Sequence, residues 1–230
     1  ANKGAGCPEC AKKKAKKLDL PGLAFFRGER CNMRKRAVYV GLMMLCSLMG
    51  SAAGANYFVA PDGDNGSKGT RSAPMSLRRA NELLQGGDVA ILLDGTYTQT
   101  PISPRRSGTK GKRIIYRSDN RHKAVFTEGG GAEKFRGAAA IVVSGRSYVT
   151  VDGIKAVSVK RWLIGAKSSR ITLANCHFEK SAGWISCRFE DNGDGIRLTG
   201  NYFNEGTDLV SLDGGDGHLI EGNFFGDATH

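Results

Sequence analysis

Four eight-residue stretches of this chain share one pattern at nearly constant spacing. They are VTVDGIKA (149–156), ITLANCHF (171–178), IRLTGNYF (196–203) and HLIEGNFF (218–225), at offsets of 22, 25 and 22 residues. The last two sit in longer matching phrases, DNGDGIRLTGNYF from Asp191 and DGGDGHLIEGNFF from Asp213. A second column keeps step with the first: WLI from Trp162, WIS from Trp184 and LVS from Leu209, at offsets of 22 and 25. The longer step places a three-residue insertion near Arg188 to Asp191. A period in the low twenties means stacked units, each burying its apolar residues against its neighbours. Leucine-rich repeats have a similar length, but their asparagine-leucine signature is missing. Two or three short strands per unit, with Gly, Asn and Asp at the corners, fit a coil of parallel β-structure, one turn per repeat.

Alternation then sets the facing. Ile171, Leu173, Ile196 and Leu198 point inward, and Thr172 and Arg197 outward. Phe178, Phe203 and Phe225 share a column and stack inside. Asn201 and Asn223 share another, which predicts a short asparagine ladder; Cys176 and Ile154 occupy that column in earlier turns. The column holding Trp162 and Trp184 continues with Leu209, so both indoles are expected to be buried. Arg161 and Asp208 share a column two turns apart, the pattern of a surface ion-pair network.

Ahead of the repeats, SLRRANELLQ (76–85) predicts a helix. Ser76 is its N-cap, and Leu77, Ala80, Leu83 and Leu84 form one apolar stripe. DVAILLDGTY, RIIYRS (113–118) and AIVVSG (140–145) predict strands. One helix followed by short strands describes an all-β body with a helical cap.

The net charge of +12 would ordinarily point to nucleic acid or an anionic surface. Residues 1–36 hold 11 Lys/Arg against 3 Asp/Glu, which leaves 23 against 19 for the remainder. The basic excess is therefore concentrated outside the repeats, and no nucleic-acid partner is expected. Within residues 33–55, Arg34-Lys35-Arg36 is followed by an apolar run and by Ala53-Gly54-Ala55. That is the layout of a secretory signal peptide cleaved after Ala55. An uncleaved anchor is the alternative, since residues 37–55 carry no charge and nearly span a bilayer. The basic segment 1–32 lies upstream of that signal and is expected to be absent from the mature protein. Its CPEC pair (Cys7, Cys10) lacks the second ligand pair that a zinc site needs. Residues 56–230 are then the mature cap and coils. The chain stops at GDATH just after the fourth repeat, so further coils are expected beyond it.

The stretches NYFVAPDGDNG, GGDVAILLDGTY, RIIYRS and YVTVDGI, with the NCHF, GNYF and GNFF corners, resemble pectate-lyase-like right-handed parallel β-helix proteins. The resemblance covers residues 56–230. It implies an exported (secreted, periplasmic or cell-surface) protein acting on an acidic polysaccharide by lyase-type β-elimination. A non-catalytic glycan-binding coil is the alternative. A polygalacturonase-like hydrolase is a second, carried only by GDGH (215–218), a partial match to that group's GHG signature.

In a parallel coil equivalent positions lie about 4.8 Å apart. Asp191 is thus expected beside Asp213, and Asp194 beside Asp216. Four carboxylates in one patch repel unless neutralised, and calcium takes such oxygen ligands. Some β-helix lyases carry an acidic calcium cluster of this kind, which makes these four the candidate metal ligands. Asp-Gly turns also arise for purely conformational reasons. A uronic-acid lyase needs a cation on the carboxylate, a base for the adjacent proton and a proton for the leaving oxygen. Arg197, Lys155, His177 and Tyr202 are the outward candidates, although solvated face residues of these types are common.

Overall fold

A computed structural model describes residues 54–128, 139–191 and 193–228. The upstream segment, the CPEC pair and the signal-like stretch through Ala53 lie outside them. Every ladder between named strands is parallel, and the strands form three sheets that run along one coil. The first sheet contains β1 (Asn56–Ala60), β2 (Met75–Ser76), β3 (Val89–Leu92), β5 (Ile114–Ser118), β8 (Val149–Asp152), β11 (Thr172–Ala174), β14 (Arg197–Thr199) and β17 (Leu219–Glu221). The second contains β4 (Gly95–Tyr97), β6 (Ala124–Phe126), β9 (Lys155–Val159), β12 (His177–Ser181), β15 (Tyr202–Asn204) and β18 (Phe224–Phe225). The third contains β7 (Ile141–Val142), β10 (Leu163–Ile164), β13 (Cys187–Phe189) and β16 (Val210–Leu212). From β5 onward each turn visits the three sheets in that order; the preceding turn reaches the third only through an isolated bridge from Ile102 to Ile141. The result is an all-β, right-handed parallel β-helix, the hand expected of parallel crossovers.

The inward columns are as alternation predicts. Tyr116, Val151, Leu173 and Leu198 are in register on the first sheet and fully buried. On the second sheet Phe178 stacks on Phe203 at 5.1 Å, and Phe203 on Phe225 at 5.3 Å. Phe225, in the last described turn, is 45% exposed. The asparagine ladder is present. Asn201 Oδ1 accepts the Cys176 amide at 2.9 Å, while Asn201 Nδ2 donates to Leu173 O and to Asn223 Oδ1, both at 2.9 Å. The buried backbone groups at this bend are satisfied by a side chain because the strand ladder is interrupted there.

Helix α1 (Leu77–Leu83) packs Leu77 and Ala80 over the first coil, with Leu84 buried just beyond it. Ser76 caps it as expected, its Oγ accepting the Arg79 amide at 3.0 Å. Ala55, at the expected cleavage point, is already tied to this coil: its amide donates to Asp88 Oδ1 and its carbonyl accepts the Val89 amide. No helix among the described residues is long and apolar enough to cross a membrane.

The second repeat column is shifted relative to its expected register. Leu163 pairs with Cys187, and Cys187 with Val210, which are steps of 24 and 23 residues rather than 22 and 25. Two of the inserted residues therefore fall between Ser181 and Cys187, and the third between Phe189 and Arg197. Trp162 aligns with Ser186, not Trp184. Trp162 is fully buried, whereas Trp184 is 82% exposed, so the expectation of two buried indoles holds for the first only.

Candidate functional site

Three corners join the sheets, and the one leading from the third to the first carries the aspartates. Its geometry recurs: Tyr148, Arg170, Gly195 and Gly217 all have φ between 55° and 72°. A second left-handed column runs through Gly145, Lys167, Asp191 and Gly214. Asp191 thus corresponds to Gly214. Asp213 follows Leu212, which pairs with Phe189, so its counterpart is Glu190. The expected stacking of Asp191 on Asp213 does not occur. Asp194 and Asp216 do meet, the Asp216 amide donating to Asp194 Oδ1 at 3.1 Å. Asp194 also faces Arg170 at 3.7 Å. Among the described residues no three or more His, Cys, Asp or Glu side chains gather in a metal-holding group. With one carboxylate turned to an arginine and two out of register, Asp191, Asp194, Asp213 and Asp216 do not fit a resident calcium ion as they stand.

The opposite charge is concentrated beside this corner. Arg113 immediately precedes β5 and lies across the outer face of the first sheet. It donates from Nε to Thr150 Oγ1 (2.6 Å), and its Nη2 donates to Val149 O (2.7 Å), Arg170 O (2.6 Å) and Thr172 Oγ1 (3.0 Å). Thr150, Thr172 and Arg197 are consecutive rungs of one outward column, which brings Arg113 toward Arg197. Burial, then the charge of Arg197, pushes the Arg113 pKa below the ordinary arginine value, yet a guanidinium stays protonated. Neither arginine has a carboxylate partner among the described residues. A pocket alongside is lined by Lys110, Lys112, Arg113, Ile115 and Tyr148. On sequence alone Arg113 counts only as the first residue of the strand RIIYRS, and Lys110 and Lys112 are left unassigned; three basic residues flanking Gly111 are the available signal.

The four outward candidates fall on two faces. Arg197 belongs to the first sheet; Lys155, His177 and Tyr202 occupy one column of the second. There Lys155 Nζ and His177 Nε2 approach the same Glu179 oxygen, at 3.1 and 3.4 Å. His177 stacks on Tyr202 at 4.5 Å, and Tyr202 on Phe224 at 4.7 Å. Rings stacked in this way cover one another's faces and offer solvent their edges, which makes the column a structural ladder. Burial first, then Lys155, holds the His177 pKa below its ordinary 6.5, with Glu179 opposing. The hydrogen bond from Lys155 holds Glu179 below its ordinary 4.5. In both cases the unfolded chain binds the proton more tightly. Stability therefore falls on acidification, first below pH 6.5 through His177 and then below 4.5 through Glu179. Urea midpoints measured on the two sides of each value are expected to show both steps, and His177→Phe to remove the first.

His218, the one histidine of the GDGH stretch, is used by the backbone. Its Nδ1 accepts the Ile196 amide at 3.2 Å and its Nε2 faces Gly214 O at 2.9 Å. Arg161 and Asp208, expected as an ion pair, form none, and both border the exposed Trp184.

No family model matches the chain. The pectate disaccharide-lyase of Dickeya chrysanthemi is 34% identical over 71 residues, which is 31% of this chain and 9% of that protein. Among solved structures, pectate lyase Pel9A is similar with a TM-score of 0.55 at 20% identity, over 75% of this chain and 46% of that one. A lacto-N-biosidase from Eubacterium ramulus reaches a TM-score of 0.45 at 15% identity, over 75% of this chain and 39% of its own. The chain thus spans about a tenth of the matched relative and less than half of either solved structure. Its coil, three-sheet order and corner ladder are those of a right-handed parallel β-helix of the pectate-lyase-like type.

Proposed function

We propose that this chain belongs to an exported polysaccharide lyase that cleaves a uronic-acid polymer by β-elimination. The reading is carried by Arg113 and Arg197, two guanidiniums on one outward face with no carboxylate to neutralise them. Such a pair suits the carboxylate of a uronate: the exposed Arg197 presents a bidentate fork, and Arg113, whose Nε and Nη2 are committed to Thr150, Val149, Arg170 and Thr172, adds Nη1 and its charge. Neutralising that carboxylate acidifies the adjacent C–H. A base then removes the proton, the electron pair forms the C=C bond, the glycosidic C–O bond breaks, and the leaving oxygen takes up a proton. Lys110, Lys112 and Tyr148 line the pocket that Arg113 borders and supply the groups for these transfers. The signal-like segment 33–55 supports export, and the resemblance to pectate lyases supports the reaction class. This reading moves charge neutralisation from the aspartate corner to the arginines.

The test is incubation with pectate, alginate and chondroitin, with and without calcium, following the ultraviolet absorbance of the unsaturated product. A rise on one of these polymers is expected. Absence of any rise, with retention on an immobilised polymer, would leave a glycan-binding coil in place of the lyase. A calcium-dependent rise abolished by Asp194→Ala and Asp216→Ala would return the acidic corner to the site.

A further inference from the structure

Trp184 is the feature that the fold does not explain. The chain has two tryptophans. Trp162 is fully buried and stacks at 5.7 Å on Phe178, whereas Trp184 is 82% exposed. It lies in the insertion between β12 and β13, where the step between turns lengthens from 22 to 24 residues. The chain there is anchored closely against the preceding turn. A Cβ on Gly183 would come within 2.2 Å of Lys160 O, so the segment leaves the sheet at a fixed point. Arg161, Ile185 and Asp208 each stand two residues before the paired positions Leu163, Cys187 and Val210 on three successive turns. With turns about 4.8 Å apart, the arginine and the aspartate stand roughly 10 Å from each other, with Ile185 between them. These three, with Trp184 and Arg188, line one pocket. Arg161 Nε is buried with no hydrogen-bond partner, which leaves a donor unanswered at the pocket wall.

We propose that this pocket is a sugar-binding subsite for a uronate residue, separate from the arginine pair of the first sheet. It rests on the reading of the chain as acting on an acidic polysaccharide and adds a second place where the polymer is held. The apolar C–H face of a pyranose lies on the Trp184 ring, as aromatic faces receive such groups. Arg161 and Arg188 stand on the side where the sugar carboxylate projects, and Asp208 on the side where ring hydroxyls need an acceptor. Arg188 already holds Glu190 at 3.0 Å, so Arg161 is the arginine whose donors are open.

Tryptophan fluorescence of the full chain with iodide as quencher reads this site selectively, because Trp162 is shielded. Trigalacturonate is expected to protect Trp184 from iodide in a saturable way, and the neutral maltotriose is not. Trp184→Ala is expected to abolish the iodide-sensitive emission and weaken trigalacturonate binding about tenfold, as the loss of one aromatic stacking partner does. The remaining shielded emission of Trp162 confirms that this variant is folded. Arg161→Gln is expected to keep the exposed emission and lose the protection. If calorimetry shows trigalacturonate binding while iodide still reaches Trp184 unhindered, the subsite is wrong and the acidic-polysaccharide reading stands. If maltotriose protects equally, the assignment to a uronate is wrong. If no uronate oligomer or polymer binds, the reading beneath it fails as well.

Discussion

Asn201→Leu is expected to cost about 3–6 kcal/mol, a large share of the stability of a domain this size. The side chain keeps the same number and branching of heavy atoms, so no cavity arises. What is lost is satisfaction: the Cys176 amide and the Leu173 carbonyl, both answered by Asn201 at 2.9 Å, are left buried without partners. Asn223 loses the donor that reaches its Oδ1. The Asn201 amide can still reach Asn223 Oδ1, so the damage concentrates on the preceding turn. Urea midpoints would measure the loss. Thr199→Ala, on the outer face of the same turn, is expected to change stability by less than about 0.5 kcal/mol. Equal costs for the two variants would mean that the ladder contributes nothing particular to the coil.

Arg197→Gln and Arg113→Gln are each expected to reduce kcat/KM on the cleaved polymer by about 10²-fold, the scale of losing one preorganised electrostatic stabiliser. The two differ in their side effects. Arg197 is exposed and, among the described residues, bonds to its neighbours through its backbone alone, so its replacement is expected to leave the urea midpoint unchanged. Arg113 joins β5, β8 and β11 through Thr150, Val149 and Thr172, so its replacement also destabilises the first sheet. The double variant is expected to lose less than the product of the two single effects, because both guanidiniums serve one carboxylate. Steady-state rates by product absorbance, with urea midpoints alongside, separate catalysis from folding.

The coil was legible because parallel stacking forces one kind of residue to recur at one place. The column Ile171/Ile196, the phenylalanine stack and the pairing of Asn201 with Asn223 all follow from that constraint. Legibility ended where turns differ in length. Matching WLI to WIS by similarity places Trp184 in a buried column, but likeness of residues is not register; the ladder aligns Trp162 with Ser186. A slip of one residue in the following turn, a step of 23 rather than 22, separates Asp191 from Asp213. The Arg113–Arg197 pair was hidden for a different reason. Arg113 and Arg197 lie far apart in sequence, and only the length of the arginine side chain crossing two intervening rungs brings them together. No pattern in the repeats records a side chain that runs along the axis of the coil.

In the proposed complex a uronate chain lies on the outer face of the first sheet, at Arg113 and Arg197. The most direct measurement is a titration with trigalacturonate followed by NMR on the arginine Nε–Hε groups. Saturable shifts at Arg113 and Arg197 are expected, and in Arg197→Gln the shift at Arg113 is expected to be lost. Shifts confined to Arg161 and Arg188, with those of Arg113 and Arg197 unmoved at saturation, would contradict it.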